Sequence, residues 1–444
     1  MKNNFLLLLT LISIFLQAQE VPQSFSLDEA VAYAIQNSYE MDYASKDIEI
    51  AEQQVRETTA IGLPQLNGYV DYQNNIKQQV SLVPAEFFGG EDGEFAEVVF
   101  GTKQNVNAQL VLNQLLFDGS YFIGLKGVKM YLSLSENAKE KTEFVIKQTI
   151  TNAYTYVLLV EENILILEKN KAVLESNLHQ TTKLVENGFS EEQDAEQLQL
   201  TLSAIENEIN RSNRVKASAY KLLNLGLGID INKPITLSES LESLLMANLN
   251  LGLTQQEFDI TEHIDYRIAD TNKETSELQM KYEKSKYLPS LSAFVNVGTT
   301  ANNDEFRFLS NDQRWFASSM LGVSLNVPIF SSFSRDAKTQ QAKIELDKAS
   351  KKLTETEQRL LVELSDARTD YTFAIDSYYN AKQNLDLAER IEGKENTKYL
   401  EGVSTSFDLS NAQNQLYSRQ REYLDAILYL INAKVTLENA LNIK

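Results

Sequence analysis

Two stretches decide the reading of this chain: "GLPQLNGYVDYQ" at residues 62–73 and "YLPSLSAFVNVG" at residues 287–298. Each opens on Leu-Pro-x-Leu and runs into alternating apolar and polar residues, the period of a strand with one apolar face. Two further landmarks repeat at a nearly constant distance. "LNQLLFDGS" (112–120) pairs with "LNVPIFSSF" (325–333), and "ENGFSEEQD" (186–194) pairs with "LEGVSTSFD" (400–408). Phe117 to Phe330 is 213 residues and Gly188 to Gly402 is 214, whereas Leu63 to Leu288 is 225. The chain is a tandem duplication whose copies differ in the loop between paired strands. That loop is Gly-rich and acidic in the first copy, "FFGGEDGEF" (87–95), and "NNDEFRFLSNDQ" (302–313) in the second. The strands are expected to start after Pro64 and Pro289 and to end near Phe117, Pro328 and Phe330.

The alternation continues in the partner strands. Val106, Ala108, Leu110 and Leu112 share one face, opposite Asn105, Asn107, Gln109 and Asn113. Leu291, Ala293, Val295 and Val297 form a second apolar row, and Trp315, Ala317, Leu321, Val323, Leu325 and Val327 a third. Apolar-out, polar-in strands with Tyr69, Tyr72, Trp315 and Phe316 near their ends have the pattern of an outer-membrane barrel. Four strands cannot close one. Single-chain barrels begin at about eight, and an open edge in lipid leaves backbone groups unpaired at several kcal/mol each. Other chains must complete the sheet.

From Gly127 to Gly188, and from Pro328 to Gly393, there is no intervening Gly or Pro. Helices of about 65 residues, roughly 100 Å long, are expected there. Leu409, Leu416, Tyr423, Leu430 and Leu437 recur every seven residues, with Ala412, Ala426, Ala433 and Ala440 on a second seam interrupted by Arg419. Leu198, Leu202, Ile205, Ile209, Ala219 and Leu223 serve the first copy. This is side-by-side helix packing of coiled-coil type. Residues 227–262, with Pro234 and broken periodicity, read as short helices and connections outside the main framework.

Composition excludes several functions. The 444-residue chain carries a formal net charge of -21, which disfavours nucleic acid as a partner. It has no cysteine and two histidines distant in sequence, His179 and His263, so thiolate zinc sites and a cysteine nucleophile are absent and no catalytic triad is legible. No cofactor and no enzymatic role are expected. Residues 1–19, with Lys2 followed by "FLLLLTLISIFL", read as a secretory signal peptide. The organisation is then 1–19 leader, 20–226 first repeat, 227–262 inter-repeat segment and 263–444 second repeat.

With these motifs in this order, "LPQL" and "LPSL", "LLFDG" and "VPIFS", and the two tips, the mature chain resembles the TolC family of outer-membrane efflux channels. The resemblance implies a mainly α fold with a small β part. Three chains would supply twelve strands to one barrel and continue it as a periplasmic α-barrel of helical hairpins. It implies a homotrimer in outer-membrane lipid, extending into the periplasm. The channel would be a passive conduit for drugs, metabolites or proteins, docked to a periplasmic adaptor and an inner-membrane pump. The rival reading is a soluble periplasmic coiled-coil scaffold. By resemblance, Gly188, Phe189, Ser190, Gly402, Val403 and Ser404 would meet the adaptor. Asp194, Tyr399 and Asp408 match the family's pore constriction. Asn411 stands where a second aspartate is found and Ser404 where the family's arginine stands. From the residues alone, Gly188 and Gly402 end helices, Ser190 and Ser404 are expected to cap the next ones, and Asp194 and Asp408 are favoured by the helix dipole.

Overall fold

The computed structural model describes residues 24–443, so the expected leader lies outside the described residues. The strands are β1 (Ser24–Phe25), β2 (Gln65–Asn74), β3 (Val80–Pro84), β4 (Phe95–Val99), β5 (Gln104–Phe117), β6 (Thr236–Leu237), β7 (Ser290–Asn303) and β8 (Trp315–Asn326). The helices are α1 (Leu27–Asn37), α2 (Tyr39–Ile61), α3 (Gly119–Glu186), α4 (Glu192–Leu227), α5 (Leu241–Asn248), α6 (Ile264–Ser285), α7 (Ser334–Leu400) and α8 (Ser406–Ala440). The long helices α3 and α7 have 68 and 67 residues. Helix α3 begins earlier than the glycines suggested and runs through Gly124 and Gly127. Asp118 explains the early start: its Oδ1 accepts from the Ser120 and Tyr121 amides at 2.7 and 3.2 Å.

Two compact units cut across the repeats. One comprises residues 48–134 and 270–351, the other residues 24–47, 135–269 and 352–443.

The first unit holds a four-stranded antiparallel sheet in the order β2-β5-β7-β8. The inner pair β5–β7 joins the two repeats, and β2 and β8 are the edges. Residues that face each other across antiparallel strands lie on one face of the sheet. Leu66 pairs with Leu112, Leu110 with Val297, Val295 with Leu321 and Leu291 with Leu325. The three apolar rows legible in the sequence therefore merge into one apolar face. Asn67, Gln109, Asn107, Thr300, Asn296 and Ser318 lie on the other. At both strand starts the preceding helix tightens its last turn identically: Leu63 N–H reaches Ala60 O and Leu288 N–H reaches Ser285 O, each at 3.0 Å. Pro64 and Pro289 then open the strands. The acidic segment between β2 and β5 is not a plain loop: β3 and β4 pair as a separate hairpin around a 3-10 turn, with Val80 opposite Val99 and Pro84 opposite Phe95. Its alternation is too short, and too mixed with glycine, to stand out in the sequence.

The second unit is helical around one large core. Tyr154, Tyr371 and Tyr378 are its largest fully buried side chains. The heptad residues Leu409, Leu416, Leu430 and Leu437 are buried, as are Ala412 and Ala433. The segment 227–262 is more integrated than its broken periodicity suggested. Leu241, Leu244, Leu245 and Leu253 belong to the main core, β6 pairs in parallel with β1, and Tyr371 donates to Asn248 O at 2.8 Å. Tyr154 likewise donates to Phe25 O at 2.9 Å. Each tyrosine buries its ring and gives its hydroxyl a backbone carbonyl as partner, Phe25 O also accepting from the Ser238 amide at 2.9 Å.

Candidate functional site

Two places stand out: the open sheet and the helix tips. Both faces of the sheet are substantially exposed, and every residue of β2 is exposed. Leu66, Val70, Leu110, Val297, Leu321, Val323 and Leu325 are all exposed on the apolar face, Leu321 by 76%. An exposed contiguous apolar face flanked by two unpaired edges is unstable in water and incomplete in lipid. No helix among the described residues is long and apolar enough to cross a membrane.

The tips are built alike. Gly188 and Gly402 both sit at φ +73°, the left-handed conformation that glycine adopts without Cβ strain. Phe189 N–H reaches back to Leu184 O at 2.8 Å and Val403 N–H to Lys398 O at 2.9 Å, closing the same C-terminal motif in both repeats. The apolar side chains that follow are thrust outward: Phe189 is 82% and Val403 75% exposed.

The serines do not act as expected. The N-caps are Glu191, without a side-chain bond, and Thr405, which forms a capping box with Asp408. Helix α8 starts one residue later than the Ser404 reading required, because Thr405 and Asp408 hold the Ser/Thr-x-x-acid spacing. Ser190 instead donates to Asp194 Oδ2 at 2.6 Å, and Ser404 donates to Glu395 on α7. Asp194 also accepts from the hydroxyl of the buried Ser406, so it links the starts of α4 and α8. Burial opposes its charge, yet the Ser190 and Ser406 hydrogen bonds more than offset this and hold its carboxyl below the usual carboxylate range. The Thr405 hydroxyl and amide likewise lower Asp408, which is exposed. Tyr399 is 7% exposed, its hydroxyl 2.7 Å from that of Thr181 on α3. Burial raises it, with the Asp194 charge adding and the Thr181 bond opposing. Asn411 is exposed. The structure thus brings Asp194 to the α8 start and Tyr399 onto α3, and leaves Asp408 on its own helix cap and Asn411 on the surface.

Thr181, Glu395, Thr405 and Ser406 were missed from sequence. Only Thr405-x-x-Asp408 carried a readable signal, that of a capping box. Behind the tips, Asn177 donates to Asn396 at 2.9 Å and Asn170 to Gln420 at 2.8 Å, so neutral side-chain pairs bridge α3 to α7 and to α8.

The chain thus carries a part-sheet with one apolar face, and long helices turned by matching tips. Residues 266–442 match the family model described as outer membrane efflux protein. The alkaline protease secretion protein AprF of Pseudomonas aeruginosa is 21% identical over 316 residues, 70% of this chain and 64% of that protein. The match therefore spans somewhat less than two thirds of that relative. Among solved structures, VceC of Vibrio cholerae has a TM-score of 0.70 at 16% identity, covering 94% of this chain and 95% of that one. The CmeC outer membrane channel of Campylobacter jejuni has a TM-score of 0.72 at 17% identity, with coverages of 94% and 85%. These likenesses show the fold.

Proposed function

We propose that three copies of this chain join their sheets edge to edge, β8 of one against β2 of the next, into one twelve-stranded barrel. The helical hairpins continue it as a periplasmic conduit. The observation that carries this is the four-stranded sheet with two unpaired edges and an uncovered apolar face. Closure satisfies both edges at once, and hydrocarbon covers the face. A soluble scaffold would leave Leu321, Val323 and Leu325 in water.

The barrel would be a passive channel for drugs, metabolites or proteins, docked through Gly188, Phe189, Ser190, Gly402, Val403 and Ser404 to a periplasmic adaptor and, with it, an inner-membrane pump. The exposed Phe189 and Val403 support the docking reading. Asp194, Tyr399, Asp408 and Asn411 would form the constriction, where three-fold repetition makes carboxylate rings that favour cations. The test is to purify the chain in detergent, measure its oligomer mass by light scattering and record conductance in planar bilayers. A trimer that conducts is expected. A detergent-independent, water-soluble monomer with no conductance refutes the proposal.

A further inference from the structure

Below the sheet, α3 and α6 leave a groove of about 460 Å³, with Met130 and Leu278 among its lining side chains. Its charged side chains are ordered along the groove. Lys126 follows the end of β5 by nine residues, and Lys281 precedes the start of β7 by nine. Both therefore stand roughly 10–15 Å from the strand ends at helical rise. Lys129 comes next on α3. Glu277, nearly level with Lys129, and then Glu274, level with Ser133, stand farther from the sheet than Lys126 and Lys281. Among the described residues Lys126, Lys129 and Glu274 form no ion pair, whereas Lys281 binds Glu277 at 2.6 Å. Phe117 and Phe122, both exposed, lie between the lysines and the sheet's apolar face.

We propose that this groove binds the headgroup of a zwitterionic, ethanolamine-type phospholipid of the periplasmic leaflet. The inference rests on the membrane placement of the sheet under the proposed function. Cations near the membrane and carboxylates beyond them mirror a head whose phosphate lies under the glycerol and whose ammonium is distal. Lys126 and Lys129 meet the phosphate as point charges, and Glu274 and Glu277 receive the ammonium. An anionic glycerol-type head satisfies only the lysines and meets the two glutamates with no cation to offer. The exposed Phe117 and Phe122 lie where the glycerol and first acyl carbons would pass.

The test uses the full chain, delipidated in detergent, with its oligomeric state measured before lipid is added. It is then given equal amounts of phosphatidylethanolamine and phosphatidylglycerol with identical acyl chains, and retained lipids are counted by native mass spectrometry. The ethanolamine lipid is expected to be preferred by about threefold or more, a ratio within reach of a few exposed charge contacts. Lys126→Gln with Lys129→Gln should erase the preference, and Glu274→Gln with Glu277→Gln should turn it toward the glycerol lipid. Lys126, Lys129 and Glu274 are exposed and Glu277 is half-buried, so neither pair of substitutions disturbs a core. An intact oligomer that retains both lipids equally, retains neither, or keeps its preference through both double substitutions overturns this proposal alone. A chain that stays monomeric without detergent overturns the channel reading and this one with it.

Discussion

Ser406, buried at the start of α8, donates its hydroxyl to Asp194, which stands in the first turn of α4. This one contact ties equivalent tips of the two repeats together, and the Ser190 hydroxyl at 2.6 Å completes the carboxylate's partners. Asp194→Ala should cost the tip about 1.5–3 kcal/mol, the range for hydrogen bonds to a charged group. Amide hydrogen exchange should quicken over residues 188–195 and 405–409 and stay unchanged around Tyr154. Because its folded pKa lies below the ordinary 3.8, the contribution is complete above that value and lost as pH falls beneath it. Uniform exchange across the helix unit would show the contact to be inconsequential.

Asp408 gives a different readout, since it is exposed and bonded to Thr405 at the cap of its own helix. Asp408→Asn should lower the preference for cations over anions, read as a shift of reversal potential in a salt gradient. Asn at this position still accepts from the Thr405 amide, so the helix start survives. An unchanged reversal potential removes Asp408 from the constriction.

His263 is buried beside Phe258, with its Nδ1 accepting from the Asp265 amide at 3.1 Å. Burial lowers its pKa from the ordinary 6.5, against the charges of Asp265 and Glu363 and with that of Arg359. The folded state therefore binds the proton less readily than the unfolded one. Stability is full above pH 6.5 and declines as pH falls below it. His263→Gln should flatten that decline between about pH 5 and 6.5 in urea titrations. If wild type and variant lose stability in parallel, the imidazole plays no part in the acid response.

Face assignment predicts an asymmetry within the sheet. Leu321→Arg, on the apolar face opposite Val295, should cost about 2–4 kcal/mol of folding into lipid if it lies near the bilayer midplane. Ser318→Arg, on the other face opposite Gly298, should fold and alter conductance instead. Unfolding in urea from liposomes compares them. Equal cost at both positions would mean that the faces are assigned wrongly.

Much of this was legible in the residues. Leu-Pro-x-Leu at two places marked the strand starts, period-two rows at 106–112, 291–297 and 321–325 gave the apolar face, and the heptad leucines from Leu409 to Leu437 gave the buried seam of α8. The strands of the sheet and the helices of the second core each repeat a local period, and one period fills one face. The β3–β4 hairpin stayed hidden because five-residue strands between glycines and acids offer too few alternations to count. The helix caps shifted by one residue, from Ser190 to Glu191 and from Ser404 to Thr405, because only backbone geometry decides which residue turns.

By itself, the sequence determined the long helices and the four sheet strands, that they come twice, and that four amphipathic strands fall short of a closed sheet. Periodicity is local, and burial follows it. Only the tertiary structure decided that β5 pairs with β7, that residues 227–262 enter the core, and that Asp194 meets Ser406 while Tyr399 meets Thr181. Those partners lie more than two hundred residues apart in the hydrogen-bonded pairs at the tips. No local pattern encodes such a meeting. It depends on the register in which long helices pack, which many heptad contacts fix together.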